Sequence, residues 1–277
     1  MTAVGRTSTA NHPGGTPALV VVAHGSRDPR ALSTVRALLD RVRALRPALP
    51  VRLGHIELNE PRLPGTLAAL GDGDAVLVPL LLSRGHHVKQ DIPEMAAAAA
   101  ARTRVAAPLG PHPLLVDALH DNLLEAGWPL HAPRDVAVVL AAAGSRDPES
   151  RTDTDRMAVL LSTRLGVPVV PAYASAAAPT VPEAVDALTA RGCRGVAVAS
   201  YFTAPGRFST ECLAQAPWIA SAPLGVHPAM ARLLLHRYDQ ALMAGGGNNA
   251  SEGAREVSRC DSAASARPAL QAPALAR

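Results

Sequence analysis

Short, continuous apolar runs alternate along the chain with stretches in which apolar residues recur every three or four positions. Ala18–Ala23 is valine-rich and apolar throughout, as a strand buried on both faces must be. Asp28-Pro29 then supplies a helix cap and a first-turn proline, and Leu32, Val35, Leu38, Leu39, Val42 and Leu45 follow at helical spacing to Pro47. The same reading predicts strands over Val51–Leu58, Asp74–Leu82 and Val105–Leu109. Helices are predicted from Pro61 to about Leu70, from Ile92 to Arg102 and from Pro113 to Ala126. Strands that alternate with helices are parallel and joined by helical crossovers, so the fold class is α/β with a doubly wound sheet.

After Gly127-Trp128-Pro129 and its proline-rich continuation the pattern starts again. Val136–Leu140 reads as a strand, and Ala143-Gly144-Ser145-Arg146-Asp147-Pro148 copies His24-Gly25-Ser26-Arg27-Asp28-Pro29. Pro168–Ala174 and Gly195–Tyr201 repeat the second and third strands. The landmark pairs His24/Ala143, Gly85/Gly206 and Leu109/Leu224 stand 119, 121 and 115 residues apart, which marks a duplication. The expected organisation is a disordered leader over 1–16, a first domain over 17–126, a linker over 127–134 and a second domain over 135–243. A Gly-, Ala- and Ser-rich disordered tail is expected over 244–277.

Composition narrows the function more by exclusion than by assertion. The chain has 277 residues, 48% of them hydrophobic, yet no apolar run long enough to span a membrane and no apolar core in the leader. A cytoplasmic protein is expected. Three cysteines, Cys193, Cys212 and Cys260, form neither a disulfide framework nor a Cys-x-x-Cys site. The net charge of +4 is scattered, and six of the seven aromatic residues follow position 170, so no clustered basic face with stacking platforms points to nucleic acid. A single glycine in the first strand–helix loop excludes both glycine-rich nucleotide motifs.

The candidate chemistry sits in two loops. One is Ala23-His24-Gly25-Ser26-Arg27-Asp28 after the first strand, and the other is Ser83-Arg84-Gly85-His86-His87-Val88-Lys89-Gln90-Asp91 after the third. Ligands of open parallel sheets bind at the carboxyl ends of strands, where both loops lie. Imidazole is the side chain that binds a borderline divalent metal and also takes a proton near neutrality. Each residue also has a simpler reading. Ser26, Asp28 and Asp91 are placed as helix caps, Arg27 recurs as Arg146, and His112 and His227 both precede a helix-starting proline. Tyr173, Tyr201, Phe202 and Phe208 are candidates for a cleft wall or for ordinary core.

The motif His24-Gly25-Ser26-Arg27-Asp28, followed by Gly85-x-His87-x-x-x-Asp91-Ile92-Pro93, resembles the CbiX/SirB family, the sirohydrochlorin chelatases of the class II chelatase superfamily. The resemblance covers both halves and is similar to the long, two-domain members. It implies insertion of Co(II) or Fe(II) into a sirohydrochlorin-type tetrapyrrole, feeding cobalamin or sirohaem synthesis. No organic cofactor is implied, and the metal is a substrate. His24 and His87 would bind the metal and accept pyrrole protons, with Glu57 as a further metal ligand. Ser26, Arg27, Arg84, His86 and Lys89 would meet the carboxylates of the tetrapyrrole. His86 stands beside His87 as an alternative. In the second half Ala143, Ser175, Phe208 and Cys212 occupy the places of His24, Glu57, His87 and Asp91, so that half is expected to lack the chemistry. The two halves would pack as a pseudo-dimer within a monomer, binding neither nucleic acid nor membrane. A non-catalytic carrier of metal or tetrapyrrole is the alternative, since it would need the same histidines.

Overall fold

The valine-rich runs become the central strands of two parallel sheets. The structure is a computed structural model that describes residues 15–260, with side chains to residue 244. The first half runs β1 (Ala18–Ala23), α1 (Pro29–Leu45), β2 (Val51–His55), α2 (Leu63–Ala68), β3 (Asp74–Pro79), a π-helical turn (His87–Asp91) leading into α3 (Ile92–Ala97), β4 (Arg102–Val105) and α4 (Pro113–Glu125). The second half runs β5 (Val136–Ala142), α5 (Pro148–Leu165), β6 (Val169–Tyr173), α6 (Val181–Ala190), β7 (Gly195–Ser200), α7 (Arg207–Leu213) and α8 (Pro228–Cys260). The sheet orders are β2-β1-β3-β4 and β6-β5-β7, all pairs parallel. Every residue of β1 and of β5 is buried, which is why neither strand shows a polar alternation.

The duplication is visible in detail. Asp28 and Asp147 cap α1 and α5 by accepting the N–H two residues on, each ahead of a proline. Ser26 and Ser145 each accept the N–H of that capping aspartate. Isolated bridges follow β2 and β6 in the same way, His55 to Arg62 and Tyr173 to Thr180. The partner of β4 in the second half is reduced to one bridge, Val198 to Ala220.

Several predicted boundaries moved. β2 ends at His55 and β3 at Pro79, short of Leu58 and Leu82, because the chain turns there into the site loops. The fourth strand is Arg102–Val105 instead of Val105–Leu109, and the alanine-rich helix before it ends at Ala97. An edge strand with exposed residues pairs by its backbone, so its polar sequence hid it from a search for apolar runs. Leu45, expected on the core face of α1, is 56% exposed in the helix's last turn. The last helix continues to Cys260, past the expected domain end at residue 243, although Gly245-Gly246-Gly247-Asn248-Asn249 lies on its course. The leader through residue 14 and the tail beyond residue 260 lie outside the described residues. Among the described residues, those from 15 to 241 form one compact unit and those from 242 to 260 belong to a separate one.

Within the first unit the halves are joined by polar ties on helices. The Asn122 amide donates to the carbonyls of Ala222 and Pro223, at 3.2 and 3.0 Å. Arg46 forms a two-pronged pair with Asp239 at 2.6 and 2.8 Å, and the Tyr238 hydroxyl donates to the Pro17 carbonyl at 2.6 Å.

Glycine is required where loops cross. Gly144 has φ +89°, and a Cβ there would stand 1.8 Å from the Ser175 carbonyl oxygen. Gly144→Ala should therefore destabilise the fold by about 1–3 kcal/mol in urea unfolding. Gly65, inside α2, should behave oppositely, because a methyl group there would meet nothing within 4 Å. Gly65→Ala is expected to stabilise by about 0.5–1 kcal/mol in the same measurement.

Candidate active site

Parallel pairing in register sets β1 between β2 and β3, so their carboxyl ends share one edge: Ala23 lies opposite His55, and Val22 opposite Pro79. His24 is the first residue past β1. The ladder continues one step further, with Ile56 N–H donating to Ala23 and Glu57 N–H to His24. Gly25, at φ +106°, lets the β1 loop pass over the Glu57 carbonyl, where a Cβ would stand 1.9 Å from the oxygen. Asn59 Oδ1 accepts the Ser26 N–H at 2.7 Å and pins the loop. These backbone contacts bring the Glu57 carboxylate to 3.3 Å from His24 Nε2.

His87 arrives from the loop after β3, at the start of the π-helical turn. Such turns carry one residue more than an α-helical turn and re-aim side chains. Its ring stands edge-on to His24, with centroids 4.8 Å apart and planes at 79°. Its Nδ1 meets Asp91 Oδ2 at 2.5 Å. A carboxylate accepts, so Nδ1 carries the hydrogen and Nε2 keeps its lone pair for a metal or a proton. Asp91, expected as a helix cap, makes no capping bond. Its other oxygen, Oδ1, lies 3.4 Å from His86 Nε2. His86 is the outer of the two, 68% exposed, with its ring 6.3 Å from that of His87.

The His24–Glu57 contact has a definite electrostatic content. His24 Nδ1 lies 3.2 Å from the Gly25 carbonyl and Nε2 lies 3.3 Å from the Glu57 carboxylate, and both of these partners only accept. The neutral ring carries one N–H and can donate to only one of them, so the lone pair of its other nitrogen is open to a metal or a proton. Among the described residues no group of three or more His, Cys, Asp or Glu side chains is arranged to hold a metal ion, so the expected set of His24, His87 and Glu57 is not drawn together as one here.

The remaining expected site residues divide. Arg27 is exposed in the His24 loop and Ser26 is used locally in the turn before α1. Arg84 and Lys89, expected to meet substrate carboxylates, face the second half instead. Arg84 pairs with Asp153 and Glu149, and Lys89 with Asp147 and Glu149. Those acids hold both cations charged to higher pH than usual, and Lys89 in turn holds the Asp147 carboxyl below its usual range. Local spacing could not have revealed this, because the acids lie some sixty residues further on. A cavity of about 460 Å³ opens beside the histidines, lined by His86, Lys89, Gln90, Ser145, Arg146 and Asp147.

Other candidates are structural. His55 is buried, donates Nδ1–H to the Pro61 carbonyl at 3.1 Å, and is pushed by burial toward its neutral form. His112 and His227 accept the N–H two residues on, at 3.1 and 3.2 Å, as helix caps in matching places. Tyr173 and Tyr201 are buried and Phe202 packs against the second core, so three of the four possible wall aromatics are core. Phe208 is half-buried under Arg207, whose guanidinium carbon sits 4.6 Å from the ring centre. Burial pushes the Cys212 thiol up to about 11, which keeps it protonated at neutral pH and unsuited to metal binding. Gly144 crosses Ser175 as Gly25 crosses Glu57, so the second half keeps the backbone of the site and carries Ala143, Ser175 and Phe208 on it.

Comparison with known proteins agrees with this arrangement. The CbiX family model matches residues 18–126 and 137–241. A sirohydrochlorin ferrochelatase of Bacillus subtilis is 32% identical over 181 residues, 62% of this chain and 68% of that protein. A sirohydrochlorin cobaltochelatase of Priestia megaterium is 27% identical over 205 residues, 68% of this chain and 64% of that protein. The structure of SirB from Bacillus subtilis with Fe3+ superposes with a TM-score of 0.69 at 26% identity, covering 83% of this chain and 97% of that one. The fold is thus that of the chelatases, two parallel α/β halves in one chain. The chain belongs to the CbiX family.

Burial holds the His112 ring below the ordinary histidine value, so the unfolded chain binds more protons as the pH falls below about 6.5. Stability present above that pH should drain away as the pH falls toward the folded-state value. Asn at position 112 keeps the cap without titrating there. His112→Asn should therefore flatten the slope of unfolding free energy between pH 6.5 and 5, measured by urea titration.

Proposed function

We propose that the chain inserts a divalent metal, Co(II) or Fe(II), into a sirohydrochlorin-type tetrapyrrole at the histidine pair of the first half. The observation that carries this reading is the meeting of His24 and His87, centroids 4.8 Å apart, beside the Glu57 carboxylate at 3.3 Å from His24. The names of the relatives, ferrochelatase and cobaltochelatase, support the reaction and leave both metals open.

Metallation removes two pyrrole protons and places a metal on the nitrogens that held them. His24, His87 and Glu57 would hold the incoming metal by borderline, incomplete ligation, which allows it to leave for the macrocycle. As it leaves, the His24 and His87 Nε2 lone pairs become free to accept the two protons. The His24 ring, whose two nitrogens face the Gly25 carbonyl and the Glu57 carboxylate, would then carry the transferred proton between two acceptors. Asp91 holds His87 in the tautomer that this exchange needs. Arg27 and Arg146, in the matching loops of the two halves, would meet carboxylates of the tetrapyrrole, since Arg84 and Lys89 are engaged elsewhere. The reading includes a cytoplasmic, single-chain enzyme with no organic cofactor and one active half.

Anaerobic absorbance of sirohydrochlorin with Co(II) or Fe(II) tests this. Wild-type protein should give many turnovers above the spontaneous rate. His24→Ala and His87→Ala should each lose about 100-fold or more, the range of a missing acid–base group. Phe208→Ala should retain measurable turnover. A stoichiometric spectral change without turnover would mark a carrier, and full activity in His87→Ala would transfer the role to His86.

A further inference from the structure

The loop that delivers His87 is held by the half that lacks the histidines. Asp153, on α5, has a side chain only 1% exposed. Its Oδ2 accepts both the main-chain N–H of Arg84, at 2.9 Å, and the Arg84 Nε–H, at 3.0 Å, while Oδ1 accepts Nη2 at 2.6 Å. Glu149, one turn earlier on the same face of α5, accepts Arg84 Nη1 at 2.7 Å. Ser150 Oγ meets Ser83 Oγ at 2.8 Å. The Tyr201 hydroxyl donates to the Leu82 carbonyl at 3.0 Å, and Lys89 Nζ donates to Asp147 at 2.9 Å. The second half therefore grips residues 82, 83, 84 and 89, on either side of His86-His87.

We propose that Asp153 is a positioning residue for the reaction, acting through Arg84 to hold His87 at its working distance from His24. The proposal rests on the reading of His24 and His87 as the reacting pair. Between Pro79 and His87 the chain has no helix or strand to set its course. His24, by contrast, is fixed by its own sheet. Asp153 reaches the main chain of the loop, so it fixes the path of the backbone and not one side chain alone. The grip is also one-directional: under the repeat, Asp153 and Arg84 correspond to Thr34 and Pro205, which cannot form the pair. It exists only where a histidine loop needs holding. A buried carboxylate survives such a site because the guanidinium and an N–H satisfy it.

The test uses the full chain in two forms. Asp153→Asn removes the charge with little change of shape. The double variant Arg84→Met with Asp153→Leu replaces the pair by apolar bulk, which keeps the fold where a lone buried charge would not. Three readouts are taken: kcat and the metal and tetrapyrrole KM values, Co(II) affinity from its ligand-field absorbance, and hydrogen exchange by peptide. Both variants should weaken Co(II) binding, raise the metal KM by about tenfold and lower kcat, within the roughly hundredfold loss that misplacement by an ångström can cause. The tetrapyrrole KM should change less than about twofold. Exchange should rise in the peptide spanning 80–92, with β1 and β5 unchanged. Wild-type metal KM and loop protection in the double variant would overturn the proposal. So would a uniform rise of exchange across both sheets, which would mean a purely structural pair. If the wild-type protein shows no turnover, the chelatase reading fails, while Co(II) affinity and loop exchange still decide whether Asp153 holds His87.

Discussion

The constraint on which the rest depends is the in-register parallel pairing of β1 with both of its neighbours. A strand buried on all six residues has no polar face, so it must be covered on both sides and flanked on both edges. Once β2 and β3 lie beside it in parallel, their three carboxyl ends share one edge of the sheet. His24, Glu57 and the loop to His87 are simply the residues that follow those ends. The crossing of Gly25 over the Glu57 carbonyl then sets the histidine and the carboxylate face to face.

In the proposed reading His24, Glu57 and His87 receive a metal and give it up again. An imidazole nitrogen and a carboxylate 3.3 Å apart are both donors that a borderline metal accepts, and ligation by so few groups would leave the metal free to depart. His87 brings the second lone pair, its tautomer set by Asp91. Ready entry and ready release are what the proposed reaction, with a metal as substrate, would require of this site.

The duplication explains how a small sheet supports this chemistry. The second half repeats the capped α5, the crossing of Gly144 over Ser175 and the parallel order, with alanine, serine and phenylalanine in place of the reactive groups. Without those side chains, it presents acids at the start of α5, Asp147, Glu149 and Asp153, to the opposite loop. Arg84 and Lys89 illustrate the consequence: cations that sit in the histidine loop by sequence belong by contact to the interface between halves. In the two matching loops after β1 and β5, the cations that face solvent are Arg27 and Arg146, the two copies of one position.

The sequence by itself determined the α/β class, the repeat, the buried central strands and the two loops that carry histidine. These follow from local regularities: an apolar run, a helical period, a cap before a proline, a motif repeated at a steady spacing. It misplaced β4, because an edge strand is selected by pairing and not by apolar content. It also took Asp91 for a cap, because a capping aspartate and a histidine-orienting one look alike without the π-turn that separates them. The motif spacing favoured His87 over His86, but only the tertiary structure decided that His55 turns inward to Pro61 and that Arg84 is spent on Asp153. Each of those outcomes depends on a partner distant in the chain, brought close by packing, and hydrophobic periodicity carries no record of such partners.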